Sequence, residues 1–278
     1  MNSLEFTPIV FTASLLAGFV GSLTGLGGGV IVTPVLTLFL GVDLHYAIGA
    51  SLVSVIATSS GAAAAYVRDG YSSIRIGMFL EIATTLGAVF GAFLGALIPT
   101  GDLSIIFGLI LLQSAWSASR ERLAGKSPLP PDRLAESLQL NGEYKTLEGV
   151  ERYQVHRVKT GFGLMFGAGT ISGLLGIGSG SLKVIAMDQA MQIPFKVSTA
   201  TSNFMIGVTA AASAGLYLSR GYVDPVIVFP VMLGVLTGSL TGAKFLPRLP
   251  VHLLRRVFAV VVGVIAIQMI FNGLKGKL

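Results

Sequence analysis

Long uncharged runs separated by short polar connections dominate this chain. Residues 7–42, 197–219, 226–243 and 257–274 carry no charged side chain. Each run is near or above the roughly 18 apolar residues from which a membrane-spanning helix is read. The pattern resolves into four apolar segments per half: about 8–40, 44–67, 75–98 and 102–119, then about 160–191, 195–219, 225–246 and 254–273. The first segment of each half is longer than one crossing needs. Near its middle lies a glycine cluster, Gly25-Leu26-Gly27-Gly28-Gly29 or Gly176-Ile177-Gly178-Ser179-Gly180. Glycine weakens a helix by about 1 kcal/mol per residue relative to alanine, so a continuous helix is expected to break at both clusters, as a hairpin or a broken helix.

The halves are related. A shift of 151 residues aligns Gly18 with Gly169, Gly25 with Gly176, Gly27 with Gly178 and Gly29 with Gly180. The same register pairs Ser51 with Ser202, Thr58 with Thr209, Tyr66 with Tyr217, Gly87 and Gly91 with Gly238 and Gly242, and Pro99 with Pro250. A constant offset that also pairs tyrosines and prolines points to internal duplication. The expected fold is an all-α polytopic membrane protein of two pseudo-symmetric repeats, 1–119 and 160–278. Each has a glycine-broken or re-entrant first segment and three further transmembrane helices. Residues 120–159 form a polar connector with a Pro-rich run at 128–131 and a turn signal at Asn141-Gly142, consistent with a small hairpin.

Composition supports the membrane assignment: 12% of the 278 residues are charged, against about 25% in an ordinary soluble domain. The formal charge of +6 resides mainly in the connections, where Lys and Arg read as topology signals rather than a nucleic-acid patch. If the glycine-broken segments turn back, the repeats are inverted and fourteen basic residues lie on the cytoplasmic side. If they cross, the repeats are parallel and thirteen do. The count favours inversion, with the connector cytoplasmic. There is no cysteine, so no structural disulfide forms. The N-terminus lacks a positive n-region and a small-residue cleavage site, and is read as part of the fold.

Backbone groups freed by a broken helix cannot face lipid, so both glycine loops are expected to face protein or a water-filled cavity. New helical pieces starting at about Val30 and Ser181 would present N–H donors there, an environment suited to anions. The candidate substrate-binding residues are Gly27, Gly28, Gly29, Ser51, Gly178, Ser179, Gly180, Ser181, Lys183, Ser202 and Asn203. Hydroxyls such as Ser51 and Ser202 could equally bond a neighbouring backbone. Lys183, three residues past Gly180, would compensate an anion's charge, or alternatively reach an interface or pair with Asp188. Glu81 is the candidate proton carrier, with an interfacial position as the alternative. Gly87-x3-Gly91-x3-Gly95 and Gly234-x3-Gly238-x3-Gly242 read as packing ridges between repeats, although a homodimer would use the same surface. His45, His156 and His252 sit at segment ends or in the connector, and no zinc cluster or phosphate loop is recognisable. No cofactor, metal, nucleic-acid partner or enzymatic activity is expected.

Gly25-Leu26-Gly27-Gly28-Gly29-Val30-Ile31-Val32-Thr33-Pro34 and Gly176-Ile177-Gly178-Ser179-Gly180 resemble the paired signatures of the TauE/SafE sulfite exporter family. So do Ala47-Ile48-Gly49-Ala50-Ser51 and Ser198-Thr199-Ala200-Thr201-Ser202-Asn203, which open the following helices. The resemblance implies a multi-pass protein of the cell membrane that transports, and often exports, sulfite or organosulfur anions. The second loop departs from the first in having Ser179 where the first has Gly28, followed by Ser181-Leu182-Lys183, so the second half is expected to supply the polar part of the site. An anion channel and a non-transporting scaffold subunit are the alternative functions.

Overall fold

A computed structural model describes residues 3–24, 29–68, 72–119, 132–146, 149–245 and 251–276. In the first half, α1 (Ser3–Thr24) and α2 (Gly29–Leu40) flank the first glycine cluster. They are followed by α3 (Leu44–Arg68), α4 (Ile74–Gly95) and α5 (Thr100–Ser119). The connector holds α6 (Arg133–Ser137) and the strands β1 (Gly142–Thr146) and β2 (Gly149–Tyr153). The second half contains α7 (Val158–Leu175), α8 (Gly180–Ile185), a π-helical turn (Ala186–Ala190), α9 (Phe195–Ser219), α10 (Pro225–Phe245) and α11 (Val251–Leu274). The 151-residue shift carries both ends of α3 onto the ends of α9.

The protein is mostly helical but not all-α, because β1 and β2 pair antiparallel. Asn141-Gly142 is not the turn of that hairpin. Gly142 opens β1, and the pairing ends at Thr146 with Gly149; residues 147–148 lie outside the described residues. Asn141 instead accepts the Val155 N–H on its Oδ1 at 2.9 Å. Asp132 caps α6 through the Leu134 N–H at 2.9 Å and accepts the Val158 N–H at 2.8 Å, tying the connector to the foot of α7. These backbone donors, Val158 foremost, hold its carboxyl below the usual carboxylate range. Leu140, Val155 and Val158 then pack with Ile76, Leu80, Met187 and Met191 in a second apolar core.

The second glycine cluster ends α7 and reverses the chain. Gly176 and Gly178 have φ of +68° and +69°, the left-handed region that glycine enters without steric cost, and Ser179 joins them at +43°. The chain returns along α7: Gly161, near the start of α7, packs against Met191, and the His156 N–H donates to the Met191 carbonyl at 3.0 Å. The segment 158–191 therefore begins and ends at one level of the molecule. In the first half, α1 stops at Thr24 and α2 begins at Gly29, and the intervening break, with Gly27 and Gly28, lies outside the described residues.

Helices of the two halves interdigitate: α1 packs on α10, α4 on α7, α3 on α9 and α5 on α11. Glycine makes the first two contacts possible. A Cβ on Gly91 would lie 2.0 Å from the Thr170 carbonyl oxygen, and one on Gly238 would lie 2.0 Å from that of Leu15. The pairing runs Gly87 to Phe166 and Gly91 to Thr170, and likewise Gly234 to Phe11 and Gly238 to Leu15, so α4 and α7 are parallel, as are α10 and α1. By contrast, Gly101 meets Gly273 while Gly108 meets Ala266 and Ile270, so α5 and α11 are antiparallel.

The outer surface is apolar as well. On α4, Ile76, Leu80, Ala83 and Ala88 face the core, while Met78, Ile82, Leu86, Phe90 and Phe93 are exposed. A helix apolar all round has no face for water and belongs in lipid. Among the described residues, Ile74–Gly95 is by itself long and apolar enough for a crossing.

Candidate functional site

Ser51 joins the start of α2, which follows the first glycine cluster, to the second cluster inside the molecule. Seven residues into α3, its hydroxyl points at two carbonyls, that of Gly176 in the second cluster at 2.8 Å and that of Gly29 at the start of α2 at 3.1 Å. Its repeat equivalent Ser202 donates to the Gly180 carbonyl at 3.2 Å, and the same 151-residue shift relates Gly29 to Gly180. The two serines thus clasp equivalent points at the starts of α2 and α8. Asn203 donates from Nδ2 to the Thr199 carbonyl of its own helix at 3.0 Å.

Residues 172–180 are all buried. Around the breaks, the hydroxyls of Thr33, Ser172 and Ser179 are buried and have no hydrogen-bond partner among the described residues. Thr33 lies four residues past Gly29, Ser172 four before Gly176, and Ser179 is in the loop itself. Unpaired buried hydroxyls carry a desolvation cost of about 1–3 kcal/mol each, so three around one pair of loops mark a place where a polar solute or water can be accommodated. The side chain of Ser181 lies outside the described residues.

Lys183 is fully buried. Neither an interface nor Asp188 holds it: its Nζ donates to Thr209 Oγ1 at 2.5 Å. Thr209 Oγ1 lies 2.7 Å from Glu81 Oε1, which also accepts from Thr85 Oγ1 at 3.0 Å. Glu81 is only 8% exposed, so the interfacial alternative does not hold. Helices α4, α8 and α9 therefore bring an ammonium, a hydroxyl and a carboxylate into one buried chain. Sequence reasoning left Thr209 out of the site. The available signal was its place two helical turns past Ser202, hence on the same face of α9.

No group of three or more potential metal ligands occurs among the described residues. At the foot of α4 a polar cavity of about 170 Å³ lies between the membrane bundle and the connector, lined by Ser73, Arg75, Gln139, Asn141, Glu143 and Tyr153. Arg75 donates to Gln139 Oε1 there at 3.1 Å. Ser73, through its backbone N–H, donates to Thr201 Oγ1 on α9 at 3.0 Å, which ties the cavity's edge to the helix that carries Ser202.

Apolar helices enclosing a buried lysine, a carboxylate and unsatisfied hydroxyls define a helical membrane protein with an internal polar site, the architecture of a solute transporter. Comparison with known proteins agrees. The chain belongs to the sulfite exporter TauE/SafE family, whose sequence profile matches residues 10–269. It is 28% identical over 276 residues to "Probable membrane transporter protein YunE" of Bacillus subtilis, covering 96% of this chain and 98% of that protein. It is 26% identical over 265 residues to YdhB of the same organism, covering 95% and 98%. It is 29% identical over 262 residues to a "Probable membrane transporter protein" of Xylella fastidiosa, covering 92% of each chain. No solved structure matches significantly. The protein is a membrane transporter of the TauE/SafE type.

Proposed function

We infer that the protein is a multi-pass secondary transporter of the cell membrane that exports a small sulfur-containing anion, such as sulfite or an organosulfonate. The anion is bound between the glycine loops where two inverted repeats meet. The observation that carries this reading is the fully buried Lys183 beside glycine breaks around which the buried hydroxyls of Thr33, Ser172 and Ser179 have no partner among the described residues. Lys183 supplies the positive charge such a solute needs. Ser179, with Gly178 and Gly180, offers small polar contacts. Ser51 and Ser202 hold the flanks of the breaks in shape, and Asn203 is bonded to the Thr199 carbonyl of its own helix. Inversion of the repeats is supported by the antiparallel packing of the equivalent helices α5 and α11 and by the return of 158–191 to its starting level.

The test is anion binding to the purified protein, with sulfite and short alkyl sulfonates as probes. A charge-assisted hydrogen bond contributes about 1.5–3 kcal/mol, so Lys183→Met is expected to weaken affinity roughly tenfold to a hundredfold. Unchanged affinity would remove Lys183 from the site. Saturable counterflow in proteoliposomes, rather than ohmic anion current, separates a transporter from a channel.

A further inference from the structure

Thr209 has one hydroxyl hydrogen and two acceptors within reach, Glu81 Oε1 at 2.7 Å and the Met205 carbonyl at 2.9 Å. One of its lone pairs accepts from the Lys183 ammonium. While Glu81 is ionised the hydrogen turns to Oε1, and ammonium, hydroxyl and carboxylate form an electrically neutral unit. The second carboxylate oxygen, Glu81 Oε2, is buried without a partner among the described residues. A neutral Glu81 would need no hydrogen from Thr209, which could then turn to Met205.

The remaining titratable groups on neighbouring elements stand toward element ends. Among the described residues they include Arg75 on α4, His45 and Tyr46 at the start of α3, His156, Arg157 and Lys159 at the foot of α7, Asp188 in the π-helical turn, and Lys196, Tyr217 and Arg220 on or capping α9. Tyr217 is occupied with the Leu174 carbonyl and Arg220 with that of Ala92, each at 3.3 Å. Lys183 is therefore the charge joined to Glu81. When an anion takes the ammonium, the buried unit would carry net negative charge, which a low-dielectric interior strongly disfavours.

We propose that Lys183, Thr209 and Glu81 form a coupling unit that takes up one proton for each anion bound, with the Thr209 hydroxyl as its two-position switch. A proton from the aqueous phase adds to the Glu81 carboxylate, forming an O–H bond and cancelling its charge. Thr209 turns its hydrogen to Met205, and the ammonium is left to the anion. Release of the anion returns the proton to water and the hydrogen to Oε1. The cycle moves a proton and an anion together and leaves the interior neutral in both states. It rests on the transport reading above.

The experiment uses the full chain in proteoliposomes, with isethionate as substrate and a pH-sensitive dye inside. A sulfonate does not titrate near neutrality, so any proton that moves with it is carried by the protein. With isethionate added outside at equal pH on both sides, so that its gradient sets the direction, the wild type is expected to move one proton inward with each sulfonate. Glu81→Gln and Thr209→Val are expected to lose that proton movement, and Thr209→Ser to restore it, all three remaining monodisperse on size exclusion. Sulfonate flux without proton movement in the wild type would overturn the coupling while leaving the transport reading intact. Neither flux nor binding of any sulfonate or sulfite in the wild type would overturn the transport reading and the coupling with it. Undiminished proton movement in Glu81→Gln would remove Glu81 from the unit.

Discussion

Ser51 and Ser54 lie one turn apart on α3 and are both fully buried, yet their hydroxyls do different things. Ser54 donates to the Ser51 carbonyl of its own helix at 2.7 Å, a bond that the helix can forgo because that carbonyl retains its helical donor. Ser51 instead serves carbonyls of two other segments, 22 and 125 residues away. Ser51→Ala is therefore expected to lower stability by about 1–3 kcal/mol, because buried loop carbonyls lose a donor, whereas Ser54→Ala should cost less than about 1 kcal/mol. Thermal unfolding of the two variants in detergent checks the difference, and equal shifts would mean that the Ser51 clasp adds nothing. Lys183 illustrates the opposite balance. Its burial is offset by the hydrogen bond to Thr209, which in turn reaches Glu81, so removing either side chain leaves the other without its neighbour.

At the scale of the helix, glycines of α4 and α7 differ in what a side chain at their position would meet. Gly87, Gly91, Gly169 and Gly173 sit where backbones touch, and any Cβ there would overlap a carbonyl oxygen at about 2 Å. Gly163 and Gly167 lie on α7 with nothing within 4 Å. Gly91→Ala should force α4 and α7 apart and cost about 1–3 kcal/mol. Gly167→Ala should be neutral or stabilise by roughly 0.5–1 kcal/mol, since it removes only the entropic penalty of glycine in a helix. Melting temperatures that moved alike for both would show that the close approach of α4 and α7 is not what these glycines serve. The spacing of the ridges was legible in the sequence. Their partner was not, because a small-residue stripe states that something comes close without saying which helix.

For the whole molecule, the proposed inversion of the repeats makes a prediction that the absence of cysteine renders simple to test. Glu143 in the connector and Lys275 after α11 are both exposed. With a re-entrant first segment in each half, Glu143→Cys and Lys275→Cys should be labelled by a membrane-impermeant maleimide from opposite sides of the membrane. Labelling from one side would restore the parallel arrangement. The sequence by itself determined the membrane class, most helix ends to within a few residues and the break at Gly176–Gly180, because hydrophobicity and the weak helix propensity of glycine act locally along the chain. It also singled out Lys183 and Glu81 as ionisable groups out of place in apolar runs. Only the tertiary structure decided that these two residues, 102 positions apart, share Thr209, that Ser51 joins the start of α2 to the second cluster, and that each half packs its fourth helix against the other half's first. Such partnerships depend on how whole helices pass one another, which is set by the summed fit of many side chains rather than by any local stretch.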